Sequence, residues 1–481
     1  MRRKMQRSEK KKWIERGKTA MIVSLAFCCV YLLYLLLDIY SEQIYKENVS
    51  WNSNELNLLE IDKKSTDEVL CGSLSPETVF INGTSSHQKV SEDSLEYRQL
   101  IEELGENLQK VYLSKAEDIA EVEWEDWTRA LSEYGVYVKY PVSHRTEFLG
   151  EVLGIKDSSF QKNIDSYREL IFTTGVVVDM GVTVFVREDE TDKIIKISLD
   201  ADAIELRNIM KRISNKNENI HMFAFELNFH EEKIKGETRG VSFDSMLMLP
   251  SDAMEMAGVS FDVPRRYRGG ISFSGATEVT SGLTGLFGFN PNTIRQYSNS
   301  DGTLMFVGDT GSLSVHPSGK IEYKSLGESE GILLVNDARN SDGGQVFSRV
   351  LAFKEKIFDI CGMNDEKHEA ELKMTEFDDA ENGLMKFGFE YFVDGGRVLF
   401  PGGPAMYGVV RNGVLTEFKI QIKNIEKSGG KKEITDMFEA IDDFLATNSA
   451  VNKISDGRTV YKYTEDKRDT FGTWEIQGGL F

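Results

Sequence analysis

The pattern of apolar and charged positions changes abruptly near the N-terminus of the chain. Residues 19–37 form an uninterrupted run that contains no charged side chain. As a helix rising about 1.5 Å per residue, a run of this length spans roughly the ~30 Å hydrocarbon core of a bilayer. The pattern therefore predicts a transmembrane helix over residues 19–40.

The charges on the two sides of this run differ in sign. Residues 1–18 contain nine basic and two acidic side chains, whereas Asp38, Glu42 and a long acidic remainder follow the run. Because basic residues favour the cytoplasmic side of a membrane, residues 1–18 are expected to form a cytoplasmic tail. The predicted location is the cell membrane, with a single pass, a cytoplasmic N-terminus and an extracytoplasmic bulk.

Two other interpretations of the run were weighed. A cleaved signal peptide has a shorter apolar region and a small-x-small cleavage site, and no Ala-x-Ala follows this run. A buried core helix does not explain the flanking charge or the aromatic residues Trp13, Tyr31 and Tyr40 near the ends of the run. An uncleaved membrane anchor is the interpretation that fits best.

Three small residues recur along the predicted membrane helix. Ala20, Ser24 and Cys28 are spaced i, i+4, i+8 and share one helix face, which would let a partner helix approach closely. Ordinary small residues facing lipid explain the same pattern equally well. Partner binding through this face is therefore a hypothesis.

Beyond the anchor, the hydrophobic pattern divides the chain into three folded units. Residues 41–90 are polar and punctuated, which indicates a stalk or irregular segment before the first domain. Residues 91–270 are predicted to be a mixed α+β domain that ends in a linker at residues 265–270. Its predicted elements are a helix that starts at Ser91 or Ser94, strands at residues 135–141, 175–186, 193–199 and 222–229, and a helix at residues 204–213.

Residues 271–481 carry a weak internal duplication. Short strands separated by glycine turns recur at residues 303–326 and 384–422, and helical segments follow each set near residues 345–360 and 433–447. The duplication predicts a second domain at residues 271–360 and a third at residues 361–481. The predicted fold class is α+β: one transmembrane helix, a mixed α/β domain, and two tandem small α+β domains, each a curved antiparallel sheet packed on helices.

Charge and cysteine content narrow the class of protein. The 481-residue chain carries a formal net charge of −21, and the +7 of residues 1–18 leaves −28 on the rest. Such acidity argues against binding nucleic acid or an anionic lipid surface. Cys28 and Cys29 lie in the apolar run, so only Cys71 and Cys361 face the outside, and whether they pair stays open.

Motifs that carry chemistry are scarce. The six histidines are scattered, and none stands in a His-Glu-x-x-His pattern; the nearest approach, His230-Glu231-Glu232, fits a solvated strand end. The chain has no phosphate-cradling Gly-x-x-x-x-Gly-Lys-Ser/Thr motif. No catalytic residue, cofactor or metal site is predicted.

One stretch imitates the aspartyl nucleophile motif of some phosphatases. It spans residues 299–304, but Asn299 stands where the first carboxylate must be, so a nucleophilic Asp301 would lack its general acid. Asp301-Gly302 is better explained as a hairpin turn.

Several motifs together resemble a known family, the YycH/YycI regulators of cell-wall two-component signalling in Gram-positive bacteria. The resemblance covers mainly residues 285–425, and three extracytoplasmic domains favour the YycH branch. The motifs are Phe-Gly-Phe-Asn-Pro at 287–291, Arg-Gln-Tyr at 295–297, Asp-Gly-Thr-Leu-Met-Phe at 301–306, Gly-Lys-Ile-Glu-Tyr at 319–323, Gly-Phe-Glu-Tyr at 388–391, Gly-Gly-Pro-Ala at 402–405 and Gly-Val-Leu-Thr-Glu-Phe at 413–418.

The resemblance implies a non-enzymatic accessory protein. Such a protein binds a sensor histidine kinase and modulates its activity. A second YycH/YycI-type regulator is a further candidate partner, and no cofactor is expected. Two alternatives stay open: an extracytoplasmic peptide- or ligand-binding or inhibitor module, and a membrane-anchored cell-wall enzyme.

Overall fold

The computed structural model describes the part of the chain that follows the predicted membrane segment. That segment, its face of Ala20, Ser24 and Cys28, and also Cys71 lie outside the described residues. No helix among the described residues has both the length and the apolar character that crossing a bilayer requires. The described residues are 69–70, 72–83, 86–92, 94–175, 181–215, 219–227, 241–271, 277–327, 330–335, 343–380, 383–465 and 467–479.

The described residues combine eight α-helices with 25 strands, which confirms a mixed α+β fold. The helices are α1 (Leu95–Tyr112), α2 (Trp124–Leu131), α3 (Thr146–Leu153), α4 (Ile204–Ser214), α5 (Arg265–Gly270), α6 (Glu278–Leu286), α7 (Gly343–Cys361) and α8 (Met437–Thr447).

The strands follow in chain order. They are β1 (Thr78–Asn82), β2 (His87–Lys89), β3 (Ile119–Val122), β4 (Gly135–Arg145), β5 (Ser166–Thr174), β6 (Val182–Glu188), β7 (Ile194–Ser198), β8 (Ile220–Phe223), β9 (Ser242–Phe243), β10 (Met248–Pro250), β11 (Glu255–Asp262), β12 (Arg295–Ser298), β13 (Leu304–Val307), β14 (Gly311–Val315), β15 (Lys320–Ser325), β16 (Ile332–Leu333), β17 (Glu371–Ala380), β18 (Leu384–Val393), β19 (Gly396–Leu399), β20 (Met406–Arg411), β21 (Val414–Gln421), β22 (Asn424–Glu433), β23 (Lys453–Lys462), β24 (Asp469–Thr470) and β25 (Thr473–Gly479).

The strands form three sheets. Nine strands build the first sheet in the order β10-β8-β2-β1-β4-β5-β6-β7-β3, and with α1 to α4 they make up what we call the first lobe. Thirteen strands build a second sheet along the path β12-β13-β14-β15-β21-β20-β18-β19-β23-β25, with β16, β17 and β9 beside it. A third, small sheet has the order β22-β11-β24. The large sheet, this small sheet and helices α5 to α8 make up what we call the second lobe. Pairing is antiparallel except where β19 and β9 meet β23.

Local sequence explains the elements of the first lobe. Helix α1 begins where the Ser94 hydroxyl accepts the backbone N–H of Tyr97 at 3.1 Å, and its buried positions recur every three or four residues. Helix α2 places Trp127 in the apolar core against Phe80 and Tyr137 of the sheet. The Trp127 indole N–H donates to the sulfur of Met246 at 3.5 Å.

An aromatic cluster holds the helices of the second lobe on the large sheet. The Phe353 ring of α7 lies 5.2 Å from Phe287 and 5.3 Å from Phe418 of β21, with both ring pairs edge to face. Tyr323 of β15 lies 5.0 Å from the same Phe287 ring. Cys361, at the end of α7, is a buried free thiol.

Most of the predicted elements in these residues are confirmed. The helix at Ser94, the strand at 135–141, the helix at 204–213 and the helices near 345–360 and 433–447 all form. The predicted strand at 222–229 is shorter, because β8 ends at Phe223 and a turn follows.

Three expectations need correction. Residues 78–89 lie in the predicted stalk, yet they form β1 and β2 in the middle of the first sheet, where β1 pairs with β4 over five residues. The predicted linker at 265–270 is helix α5, whose Tyr267 is buried and donates its hydroxyl to the His316 carbonyl at 2.8 Å. The strand expected from residue 175 begins at Val182, and residues 176–180 lie outside the described residues.

The two duplicated units share one sheet. Strand β15 of the first unit pairs with β21 of the second, with Tyr323 opposite Phe418. This pairing differs from the expected pair of separate small sheets, because joining the two removes an open edge from each unit. The domain boundaries at residues 270 and 360 themselves stay a prediction.

The lobes meet over apolar surfaces as well as polar ones. The Phe148 ring of α3 lies 5.4 Å from Phe347 of α7 and 4.2 Å from Phe377 of β17. On another side, Phe243 and Leu247 pack in one cluster with Ile454 and other residues from the C-terminal part of the chain. The first 250 residues therefore contribute directly to the core of the last 50.

Gly319 is a position where the fold demands glycine. It forms the turn between β14 and β15 at φ +95°, and a Cβ there would collide with the carbonyl oxygen of Ile422. We expect Gly319→Ala to lower the free energy of unfolding by about 1–3 kcal/mol, measured by denaturant unfolding. Gly269→Ala is the control, since a Cβ at that helical position meets no atom within 4 Å. Equal stability of the two variants would contradict this account of the turn.

Candidate functional site at the junction of the two lobes

The charged residues that converge most closely lie where the two lobes meet. The first lobe supplies them from β1, β2, β4 and β5 or the residues just before and after these strands, and the second lobe from β17, β18, β19 and β23. We call this set the junction. Its charged residues are Glu77, Lys89, Glu92, Lys139 and Arg168 of the first lobe and Lys373, Glu390, Arg397, Asp456 and Arg458 of the second.

Arg397 is the centre of the junction. Its Nη2 lies 3.1 Å from a carboxylate oxygen of Glu77 and its Nε lies 3.0 Å from Glu390. The side chains of Arg397 and Glu77 are only 6% and 9% exposed, so water does little to screen their attraction. Burial raises the pKa of Glu390 to about 6, although the guanidinium of Arg397 opposes the rise.

A second contact joins β4 to β23. Lys139 donates to Asp456 at 3.0 Å, and Arg168 lies within 4 Å of both Asp456 and Glu77. Burial alone would raise the pKa of Asp456, but the charge and hydrogen bond of Lys139 outweigh it and the pKa is lowered. Asp456 is therefore held ionised between two cations from the other lobe.

Lys373 forms the third contact. Its ammonium is fully buried and donates to the carbonyl of Pro76 at 2.8 Å and to Glu92 at 2.9 Å. The ring of Phe392 lies 5.1 Å from the Lys373 ammonium and 5.5 Å from the guanidinium of Arg397. The face of one aromatic ring thus helps to stabilise two buried cations of the junction.

A small cavity of about 60 Å³ lies beside these contacts. Charged residues from both lobes line it together with aromatic and methionine side chains. Its walls include Lys89, Lys139, His221, Asp456, Tyr137 and Trp474.

The arrangement suits the joining of two lobes better than bond-making chemistry. Among the described residues, no group of three His, Cys, Asp or Glu side chains is placed to hold a metal ion. Glu77, Glu92 and Asp456 each face a cation from the other lobe or from the neighbouring strands. For Asp456 the charge and hydrogen bond of Lys139 favour the ionised form, which makes this carboxylate a poor proton acceptor.

Of the histidines in the described residues, only His221 lies at this site. His221 lines the cavity, whereas His144, His316 and His368 lie in separate places, and His230 lies outside the described residues. His87 is buried and bonds Asn82 at 2.9 Å and Glu226 at 3.1 Å. A histidine beside a carboxylate also occurs in catalytic triads. In His87, however, both ring nitrogens are already hydrogen-bonded, one to the Asn82 amide and the other to the Glu226 carboxylate, so neither is left for a nucleophile.

The stretch that imitates a phosphatase motif, residues 299–304, takes a structural position, and so do two other charged or glycine-rich stretches. Gly302 adopts φ +89° in the β12–β13 connection, and Asp301 accepts the Thr303 backbone N–H at 2.9 Å, which confirms the hairpin turn. Asp378 pairs with Lys386 at 2.9 Å on the surface. Gly402 lies in a loop whose carbonyl accepts the Lys419 ammonium at 2.7 Å.

Sequence reasoning missed the junction because its partners are far apart in the chain. Glu77 and Arg397 are separated by 320 positions, and no local spacing reveals such a pair. A faint signal does exist: Lys139 and Arg397 interrupt strand patterns that are otherwise apolar. Charges inside a buried strand require partners, and only the fold says which.

Comparisons with known proteins give one informative match. No protein-family model matches the chain, and no curated protein matches its sequence. The crystal structure of YycH from Bacillus subtilis matches with a TM-score of 0.53 at 12% identity, over 87% of this chain and 96% of that one. The described chain has a YycH-like fold. An uncharacterized protein from Eubacterium rectale matches at a TM-score of 0.30 and 12% identity, over 53% of this chain and 89% of that chain, too weakly to carry an argument.

Within this YycH-like fold, removing Arg397 should be costly. Arg397→Met leaves Glu390 buried without its paired cation and Glu77 with only the more distant Arg168, so we expect a loss of about 3–5 kcal/mol in the free energy of unfolding, measured in urea. Arg129→Met removes a cation that is 66% exposed beside Asp126 and should cost less than about 1 kcal/mol. Similar losses in both variants would mean that Arg397 has no special place in the YycH-like fold.

Buried histidines make the same fold sensitive to acid. His144 is 1% exposed between Tyr140 and Tyr167, and burial lowers its pKa to about 3, against about 6.5 in an unfolded chain. The unfolded chain therefore binds more protons between these values, and the free energy of unfolding falls as the pH drops from about 6.5 towards 3.

His144→Phe should show a shallower loss over this range, because it removes one titrating group. Unfolding in urea at several pH values measures the slope. The comparison variant is Leu326→Phe, which changes a side chain that is 65% exposed and removes no titrating group, so it should keep the parental slope. A slope that His144→Phe leaves unchanged would show that the buried ring of His144 does not titrate as described.

Proposed function

We propose that the chain is a membrane-anchored extracytoplasmic accessory protein that binds a sensor histidine kinase and modulates its activity. The kinase is of the cell-wall two-component type, and the protein itself is not an enzyme. The observation that carries the proposal is the YycH-like fold, which extends over 87% of this chain and 96% of the matched structure.

The sequence supports the anchoring part of the proposal. The uncharged run at residues 19–37 follows a tail with a net charge of +7, which favours a single pass with the N-terminus in the cytoplasm. Residues 19–481 carry −28, a charge that suits a soluble region outside the membrane. Digestion of intact cells with an added protease tests this topology: residues 41–481 should be cleaved, and their full protection would contradict it.

Regulation of a kinase does not require reactive groups. A regulator needs only to bind one kinase state more tightly than the other, and a differential of a few kcal/mol shifts the population substantially. Contacts between membrane helices and contacts made by the two lobes could each supply this difference in binding free energy between the two kinase states. A second YycH/YycI-type regulator is a further candidate partner on the same surfaces.

Crosslinking in membranes tests the partner directly. Crosslinking of the tagged full-length protein, followed by mass spectrometry, should recover a sensor histidine kinase. Reconstitution of that kinase with and without the protein should then change its autophosphorylation rate. Recovery of the kinase with no change in rate would contradict modulation while leaving binding intact.

The membrane face offers a sharper test of how the two proteins meet. Ser24→Leu with Cys28→Leu places bulky side chains on the face of Ala20, Ser24 and Cys28, so co-purification with the kinase should fall if this face contacts a partner helix. Ala26→Leu enlarges a small residue on the opposite side of the helix and is the matched control. Undiminished co-purification of the double variant would place the contact elsewhere.

Two rival functions make different predictions. A ligand-binding module is favoured by the cavity at the junction and would bind its ligand without any kinase present. A cell-wall enzyme would turn over a wall-derived substrate, and turnover by the purified protein would overturn the regulator proposal.

A further inference from the structure

The junction cavity contains one ammonium, that of Lys89, with no ion-pair partner among the described residues. The cavity is lined by His221 and by five charged side chains: Glu77, Lys89, Lys139, Asp456 and Arg458. Glu77 faces Arg397, Asp456 faces Lys139, and Arg458 lies 2.6 Å from Glu475. Among the described residues, no acceptor lies within hydrogen-bonding or ion-pair distance of the Lys89 ammonium.

The fold brings the Lys89 side chain to this cavity. Lys89 pairs across the first sheet with Phe80, which in turn pairs with Tyr137, so the three side chains share one face of the sheet. At the far end of its side chain, the ammonium approaches the turn of the second lobe, where a Cβ on Gly395 would lie 3.4 Å from it. The ammonium therefore lies between the lobes.

The nearest acids do not neutralise this ammonium at close range. Asp394 has Lys427 at 3.8 Å, and Glu92 is bonded to Lys373. Burial lowers the pKa of Lys89, while Glu92, Glu77 and Asp394 act in the opposite direction from further away. An ammonium in this position gains more from a bound anion than a solvated lysine does, because part of its hydration is already lost.

We infer that this cavity is a binding site for a carboxylate group, held by Lys89. The volume of about 60 Å³ accommodates only a few water-sized groups, which suits a carboxylate and excludes a larger polyanion. The cavity is also lined by Phe80, Tyr137 and Trp474, which suits a short apolar substituent on that carboxylate. Since both lobes line the cavity, an occupant would bridge them and stabilise one arrangement of the junction.

The test uses the purified full-length protein in detergent, with no kinase present, so its outcome is independent of the proposed function. Thermal unfolding is followed while sodium acetate or sodium butyrate is added, with sodium chloride at equal ionic strength as the reference. A bound carboxylate raises the unfolding temperature by mass action. We expect a saturable rise with the carboxylates and none with chloride.

Lys89→Met removes the ammonium at similar side-chain length and should weaken the apparent affinity about tenfold or more. It should fold at least as well as the parent without ligand, because a charge without an ion-pair partner among the described residues has been removed. Lys89→Arg keeps the charge and should retain binding. Lys324→Met removes a cation that is 72% exposed beside Glu417 and controls for net charge.

The carboxylate could belong to a small acid or to the C-terminus of a peptide, and a second pair of ligands distinguishes these two sources. An acetylated trialanine with a free C-terminus is compared with the same peptide amidated at its C-terminus. Binding of the free acid alone, with or without binding of acetate, supports the site and says whether it takes chain ends or small acids. Equal binding of the amidated peptide, no response beyond chloride, or an unchanged response in Lys89→Met would each overturn the inference.

Discussion

The arrangement of the two lobes depends on charges that neither lobe could bury alone. Arg397 reaches Glu77 across the junction at 3.1 Å, and Lys373 and Lys139 make comparable contacts with Glu92 and Asp456. Removing such charges from water is costly, and only close, well-directed partners offset the cost. Because the partners come from different lobes, the lobes must meet in one register for all three pairs to form.

Buried ion pairs of this kind specify geometry more than they add stability, since apolar replacements of the same shape are often equally stable. In this chain the apolar contacts supply much of the attraction between the lobes. Phe148 packs between Phe347 and Phe377, and the residues around Ile454 form a shared cluster. The charges then select one arrangement of the lobes among those that would bury a similar apolar area.

The large sheet gives this arrangement a rigid base. Ten strands form its continuous path, three more pair beside that path, and β23 is joined by hydrogen-bonded ladders to strands of the sheet that both duplicated units share. Beside that strand lies the cavity that Lys89 lines together with residues of both lobes. The junction is the place in this fold where contacts from both lobes converge on one small cavity.

The sequence by itself determined the parts of the protein that depend on neighbouring residues. Periodicity predicted α1 and α4, the Asp301-Gly302 dipeptide predicted a turn, and motifs over residues 285–425 indicated the fold that the structural comparison supports. Only the tertiary structure decided that β1 and β2 enter the first sheet, that β15 joins β21, and that Glu77 meets Arg397. These outcomes rest on strand pairing and on charge compensation between distant segments, for which short-range spacing carries almost no information.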